Sequence, residues 1–206
     1  MIEPRLLFFA SAYIEDFLAE HPVQWLDREL AERGGVGDRA GRTPTPAARE
    51  FFEMLHNAGT LFTQAEYAER CLRRWKTWFE QLAPPQQRGV RVKLFNNFYP
   101  SLMDSLHVMA LLAEARRFDT YLIDARMDVL DKVDLTLMWD GKLFRVALVG
   151  PTAQAQDDRH YKITHRPGAH DEVVHVVRLP PERPRGAGNK RWFELQDFAF
   201  LWAENP

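Results

Sequence analysis

Two apolar segments on either side of an Asp-Gly pair place the strongest constraint on what this chain can fold into. The stretch from residue 131 to residue 150 is DKVDLTLMWDGKLFRVALVG. Its Val, Leu and aromatic residues favour strands, and Asp140-Gly141 is a dipeptide typical of a two-residue hairpin turn. The sequence therefore predicts two adjacent strands joined by a tight turn, with the carboxylate of Asp134 entering the first strand.

The flanking segments extend this hairpin to an α/β pattern. We expect an apolar helix after Pro100, preceded by a short extended piece in RVKLFNN. Strands follow in TYLIDAR, KVDLTLMW and KLFRVALVG, then a polar helix in PTAQAQDDRHYKITHR and a final strand in EVVHVVRL. The predicted order is therefore helix, three strands, helix, strand.

The first part of the chain is predicted to be helical. Apolar residues spaced at three and four predict a helix that Pro22 interrupts, and AAREFFEML predicts another. A third helix is expected to begin near Thr63, where TQAE has the spacing of a capping box, and to run to Leu82. We therefore divide the chain into an N-terminal helical region, 1–88, and an α/β core, 89–206, which includes a basic linker and a C-terminal helix that docks on the core.

The composition is that of a folded, soluble protein. The chain has 206 residues, of which 46% are hydrophobic, enough for a substantial core. Its single cysteine, Cys71, cannot form an internal disulfide, and no apolar run approaches the ~20 residues that span a bilayer. No basic leader, phosphate-binding glycine loop or Gly-x-Ser-x-Gly elbow is present. We therefore expect a cytoplasmic protein that is neither a nucleotide hydrolase nor a serine hydrolase.

The order of the predicted elements, with Asp134 at the start of the second strand, resembles the core of the PD-(D/E)XK, or restriction-endonuclease-like, nuclease superfamily. The resemblance covers roughly residues 98 to 179. It implies a central mixed sheet flanked by helices, with the N-terminal helices as an extension. In that superfamily, acids of the second and third strands bind Mg²⁺, which activates water and stabilises the charge growing on phosphate. A lysine two residues after the second acid, and often an acid of the preceding helix, complete the site.

The resemblance transfers this site only in part. Asp134 matches the first acid, but the third strand, FRVALV, has neither an acid nor a lysine on either face. It leaves Asp104 or Glu114 as the helix acid and Lys162, in the helix after the third strand, as a lysine that has moved. In an active enzyme, Asp134 and the helix acid would hold Mg²⁺, and Lys162 would position water or offset phosphate charge.

Basic residues form two groups outside this site. The first lies in the helical stretch RCLRRWKTWF and the second in the tail PPERPRGAGNKRW, and Arg88, Arg91 and Lys93 would extend such a surface. Basic side chains of this kind can contact a phosphate backbone without sequence specificity, although an acidic protein partner would suit them equally well. The candidate nucleic-acid-binding residues are Arg70, Arg73, Arg74, Lys76, Arg183, Arg185, Lys190 and Arg191.

Three functional hypotheses follow, and they leave open whether the protein is an enzyme. The favoured one is a pseudo-nuclease without a cofactor: a nucleic-acid-binding or scaffolding subunit of a prokaryotic defence or mobile-element complex, working beside a partner protein. It is favoured because the third strand lacks an acid. The alternatives are a divergent Mg²⁺-dependent nuclease and a protein-interaction module that binds no nucleic acid. The formal net charge of −2 does not by itself indicate a nucleic-acid partner.

Overall fold

The structure is a computed structural model. It describes the backbone of most of the chain, and the side chains of residues 120–122 and 202–203 are not part of the description. The predicted helix PTAQAQDDRHYKITHR, with Lys162, lies outside the described residues. The described residues are 9–26, 43–115, 120–122, 134–139, 141–150, 174–180, 182–186 and 190–203.

Helices dominate the first half of the described chain, as the sequence predicts. A π-helical turn, Leu94–Phe98, joins two of them, and a 3-10 turn, Leu195–Phe198, precedes the last. In chain order the helices are α1 (Ser11–Glu20), α2 (Ala47–Ala58), α3 (Gln64–Arg74), α4 (Lys76–Glu80), α5 (Pro84–Lys93), α6 (Tyr99–Glu114) and α7 (Phe200–Ala203).

The capping box predicted at Thr63 is confirmed. The backbone N–H of Glu66 donates to the Thr63 hydroxyl at 3.3 Å, and the Thr63 backbone N–H donates to the Glu66 carboxylate at 2.6 Å. The helix that starts there does not run unbroken to Leu82. It is interrupted at Trp75, whose φ of −95° and ψ of 15° leave the helical region, and α4 ends at Glu80.

The extended piece predicted in RVKLFNN is wrong, because this stretch is helical. It forms the end of α5 and most of the π-helical turn that leads into α6. Pro100 lies in the first turn of α6, and the Tyr99 backbone N–H donates to the carbonyl of Leu94, five residues back. This wider turn lets the chain pass the proline, which lacks an N–H, without leaving the helix. Residue 88, where the sequence suggested a boundary, lies inside α5.

The sheet is mixed and has four strands in the order β1-β2-β3-β4 within the described chain. They are β1 (Thr120–Leu122), β2 (Leu135–Trp139), β3 (Lys142–Val149) and β4 (Val174–Arg178). The first three are antiparallel neighbours, and β4 runs parallel to β3. Trp139 pairs with Lys142, and Gly141 has a φ of 71°, which glycine adopts without a Cβ clash. The predicted hairpin and the α/β class are confirmed.

One face of the sheet packs against the helices. Leu135, Leu137, Phe144 and Val146 belong to one buried cluster that also contains side chains of α1, α2, α3 and α6. Side chains close to the C-terminus, among them Phe198, join the same cluster, so the predicted docking of this segment on the core is confirmed. None of the described helices is long and apolar enough to cross a bilayer.

Candidate functional site

Asp134 lies immediately before β2, and its carboxylate completes the backbone pairing with β3. Its Oδ2 accepts a hydrogen bond from the backbone N–H of Leu148 at 2.6 Å, and its own N–H donates to the carbonyl of Val146 at 2.9 Å. A half-buried backbone N–H at the end of a strand pair needs an acceptor, and the side chain supplies it. Asp134 therefore has a structural role in the hairpin.

The positions of β3 opposite Asp134 offer only apolar side chains. Phe144 and Val146 face the helical core, while Ala147 and Val149 are fully buried on the opposite face. A strand acid in the manner of the nuclease superfamily would occupy one of these positions, and none of these residues has a side-chain oxygen. In the superfamily the second metal ligand lies on this strand, but here the β3 residues opposite Asp134 only pack in the interior.

Asp104, the first candidate helix acid, forms an ion pair with Lys190. The Lys190 ammonium also donates to the backbone carbonyl of Pro100 at 2.9 Å and lies 5.1 Å from the centre of the Trp192 ring. Burial raises the pKa of the Asp104 carboxyl, and the neighbouring Lys190 ammonium opposes that rise. Because its side chain is only 9% exposed, Lys190 anchors the C-terminal segment to α6 and does not present its charge to solvent.

Glu114, the second candidate helix acid, lies at the other end of α6. Its carboxylate accepts hydrogen bonds from the Ser11 backbone N–H at 2.6 Å and from the Ser11 hydroxyl at 2.7 Å. Ser11 is the first residue of α1, where a negative charge is favoured by the exposed N–H groups and the helix dipole. Asp104 and Glu114 are separated by roughly 15 Å along the helix axis, at ~1.5 Å per residue, so they cannot share one ion.

The described residues do not fit a magnesium site. No group of three His, Cys, Asp or Glu side chains lies together within the described part of the chain. The oxygens of Asp134, Asp104 and Glu114 accept hydrogen bonds or ion pairs from protein donors. Cys71 offers no nucleophile in their place, because burial raises the pKa of its thiol to about 12.

Arg70 and Arg74 of α3 share a buried carboxylate. Glu50 of α2 is fully buried, and its Oε1 accepts a hydrogen bond from the Thr45 hydroxyl at 2.8 Å. The Nε of Arg74 lies 3.5 Å from Oε1, and the Nε of Arg70 lies 4.0 Å from Oε2, while the two side chains remain 48% and 41% exposed. The pair therefore couples α2 to α3 and still presents two guanidinium groups at the surface.

Arg73 and Lys76 form exposed pairs within their own helices. Arg73 contacts Glu69 at 2.6 Å and Lys76 contacts Glu80 at 3.9 Å, each at a spacing of four residues. The basic side chains are 68% and 72% exposed. Pairs of this kind contribute about 0.5 kcal/mol or less in water, so an incoming phosphate can compete with the carboxylates.

Helix α5 carries exposed basic charge in a stretch of chain without acids. Residues 81 to 103 contain no acid, and Arg88 and Arg91 are both exposed. Neither has a carboxylate within ion-pair distance among the described residues, and the Arg91 guanidinium lies 5.2 Å from the centre of the Phe79 ring of α4. The sequence predicts this pair only as an extension of the basic surface, and the acid-free stretch is the signal that distinguishes it.

The basic residues of the tail mainly hold the tail together. Both terminal nitrogens of Arg183 contact the Asp197 carboxylate, at 2.5 and 2.8 Å, and Nη1 also donates to the backbone carbonyl of Trp192. The Nε of Arg191 donates to the carbonyl of Arg183 at 2.8 Å. Arg185 is exposed. The candidate basic surface is thus concentrated on α3, α4 and α5, and the tail residues Arg183 and Lys190 are committed to the fold.

The chain has no match in three comparisons with known proteins: protein-family models, curated proteins and solved structures. The assignment of a function therefore depends on the chemistry of the side chains described above.

Proposed function

We propose that this protein is a non-catalytic nucleic-acid-binding subunit built on a restriction-endonuclease-like core. The observation that carries the proposal is that each described acid of the expected site is bound by a group of the protein itself. Asp134 accepts from Leu148, Asp104 pairs with Lys190, and Glu114 accepts from Ser11. A metal ion would have to displace these donors, and the apolar strand β3 would supply no carboxylate in return.

The binding part of the proposal is supported by the exposed bases of α3 to α5. Arg88 and Arg91 lie on a helix without acids, and the exposed bases Arg73 and Lys76 are restrained only by weak surface pairs. Their charges suit a phosphate backbone, whose binding is accompanied by release of counterions and is independent of base sequence. By analogy with the usual roles of the superfamily, we place this subunit in a prokaryotic defence or mobile-element complex.

A protein-interaction module is the second candidate, because several predicted nucleic-acid contacts are neutralised within the chain. Arg183 pairs with Asp197, and Lys190 pairs with Asp104. A protein partner held mainly by apolar contacts would stay bound as salt rises, whereas phosphate-driven binding weakens steeply. The salt dependence of binding therefore separates the two candidates.

The experiment combines a cleavage assay with a binding assay. For cleavage, labelled single- and double-stranded DNA and RNA are incubated with the protein and Mg²⁺ or Mn²⁺. For binding, the same nucleic acids are titrated with the protein across a salt series. Both assays compare the wild type, Asp134→Ala and Arg88→Gln. Arg178→Gln, an exposed arginine of β4, is the charge-matched control. We expect no cleavage, salt-sensitive binding, and a loss of affinity in Arg88→Gln that Arg178→Gln does not share. Cleavage that disappears in Asp134→Ala would instead establish a divergent nuclease.

A further inference from the structure

Two side-chain amides hold the backbone on either side of Trp25. The Gln64 amide accepts from the Gln24 backbone N–H at 2.9 Å and donates to the Gln24 carbonyl at 3.0 Å. The Asn96 amide treats Leu26 in the same way, accepting from its N–H at 2.9 Å and donating to its carbonyl at 2.6 Å. The backbone groups of both chain neighbours of Trp25 are therefore satisfied by fixed side chains.

Both amides are themselves held in place. Gln64 follows the capping residue of α3, is only 7% exposed, and also donates to the carbonyl of Phe95 at 2.7 Å. Asn96 lies in the π-helical turn, which continues α5 into α6. π-helical turns inside helices are frequently found at functional sites. This one aims an amide at the backbone of residue 26.

We call the amides of Gln64 and Asn96, which hold the backbone of residues 24 and 26, the clamps. Trp25 lies at the surface between them. Its side chain is 53% exposed, the highest exposure among the aromatic residues of the described chain, and no ring contact involves it there. Exposing a large indole is unfavourable in water, and holding its backbone rigid lowers the entropy that a partner must remove on binding. An exposed and preorganised tryptophan is suited to receive a flat partner.

The position of Trp25 connects it to the basic helix. The π-helical turn that holds Leu26 directly follows α5, and Asn96 is five residues beyond Arg91. This separation corresponds to roughly 7 Å along the helix axis. Positions 91 and 96 also differ by roughly 140° around that axis, so only a nucleic acid several nucleotides long can bind Arg91 or Arg88 through a phosphate and also reach the indole.

We infer that Trp25 is a stacking platform for an unpaired base, so that the protein binds single-stranded nucleic acid in preference to duplex. This inference rests on the proposed nucleic-acid-binding function. In a duplex, each base face is covered by its neighbours, whereas an unpaired base can leave the stack and lie on an aromatic ring. Arg88 and Arg91 then bind phosphate in either kind of substrate, and Trp25 contributes only when a base is available.

The test measures the affinity of the full chain for a fluorescently labelled single strand and for the duplex of the same sequence, at one fixed salt concentration. Trp25→Ala should weaken single-strand binding by about tenfold or more, in line with the contribution of one stacked base, and leave duplex binding unchanged. Trp25→Phe should retain part of the affinity. Tyr13→Ala, which removes the other strongly exposed aromatic side chain, is the control and should bind as the wild type does.

The outcomes distinguish this inference from the function on which it rests. Equal single-strand affinities of Trp25→Ala and the wild type, with Arg88→Gln weakened, would overturn the stacking role and leave phosphate binding intact. Equal losses on single strand and duplex would also overturn it, because stacking acts only on unpaired bases. A wild-type protein that binds neither substrate would overturn both and direct attention to a protein partner. Thermal unfolding of each variant verifies that the fold is kept, since the indole is exposed and the clamps contact only backbone atoms.

Discussion

The Nε of Arg74 lies 3.5 Å from the carboxylate of Glu50, which is fully buried between α2 and α3. Arg70 approaches the same carboxylate to 4.0 Å, so two half-exposed guanidinium groups compensate one buried charge. The Thr45 hydroxyl that donates to Glu50 in turn accepts from the Trp75 indole N–H at 2.8 Å. This cluster connects the basic surface to the packing of the helical region.

Glu50→Gln should lower the free energy of unfolding by about 1–3 kcal/mol, because two arginines lose their buried counter-ion while the amide keeps the contact with Thr45. Urea denaturation measures the loss. Glu69→Gln is the matched control: it removes the exposed partner of Arg73 and should change stability by less than about 0.5 kcal/mol. Equal losses of unfolding free energy in the two variants would show that the burial of Glu50 does not strengthen its ion pairs with the arginines.

Asp134→Ala should lower the free energy of unfolding by about 1–2 kcal/mol, because the Leu148 N–H loses its acceptor. Asp134→Asn keeps an oxygen in the same place and should cost less than half as much. The comparison separates a structural acid from a metal ligand, since an amide binds Mg²⁺ poorly. A protein in which Asn and Ala are equally destabilising would contradict the assigned hydrogen-bonding role.

Lys190→Met should lower the free energy of unfolding by about 3 kcal/mol, because it leaves the Asp104 carboxylate without its cation in a largely buried place. Adding Asp104→Asn to that variant should recover part of the loss by removing the uncompensated charge. Both variants are compared by urea denaturation and by limited proteolysis of the C-terminal segment. If the free energy of unfolding of Lys190→Met lies within about 0.5 kcal/mol of the wild-type value, Lys190 does not anchor the C-terminal segment.

Acidification should destabilise the protein through His107. Its ring is 2% exposed, its Nε2 lies 2.9 Å from the Glu15 carboxylate, and burial lowers its pKa although Glu15 and Asp104 oppose the shift and Lys190 adds to it. The unfolded chain takes up this proton at about pH 6.5, and the folded protein only at a lower pH. Stability is therefore lost as pH falls below about 6.5.

The difference between the wild type and His107→Gln isolates this effect. Burial raises the pKa of Asp104, so its protonation on acidification acts in the opposite direction and the total pH dependence alone is ambiguous. Urea denaturation between pH 5 and 8 should show a smaller loss in His107→Gln than in the wild type. His56→Gln, at an exposed position, serves as the control. Parallel curves for wild type and His107→Gln would rule out His107 as the source.

Local signals in the sequence predicted much of the fold. The Asp-Gly hairpin, the alternation of apolar residues in β3 and the capping box at Thr63 each depend on residues within a few positions of one another. The sequence does not predict the helical path through RVKLFNN, because the mixture of apolar, polar and β-branched residues ahead of Pro100 also suits an extended piece. The π-helical turn contains one more residue than an α-helical turn, and this allows Pro100 to lie in a continuous helix. No local sequence pattern predicts that extra residue.

The basic surface is harder to predict than the fold, because the sequence does not show which acid a basic residue pairs with. Lys190 appeared as one of four bases in a polar tail, yet it pairs with an aspartate 86 residues earlier. Arg88 and Arg91 are fewer than the four bases of the tail and therefore give a weaker signal in the sequence. No acid lies near them in the sequence, however, and neither forms an ion pair in the described chain. No local pattern in the sequence indicates that amides from distant segments hold the backbone of Gln24 and Leu26, on either side of Trp25.

The amides of Gln64 and Asn96 form hydrogen bonds only with main-chain atoms of residues 24 and 26. The conformation of this short segment is therefore largely indifferent to which side chains it carries, with proline excluded at both clamped positions because it has no N–H to donate. Natural variation or laboratory selection can exchange the group displayed at position 25 without rebuilding its support. A substitution at position 25 therefore changes the displayed side chain and leaves the hydrogen bonds of its two neighbours in place.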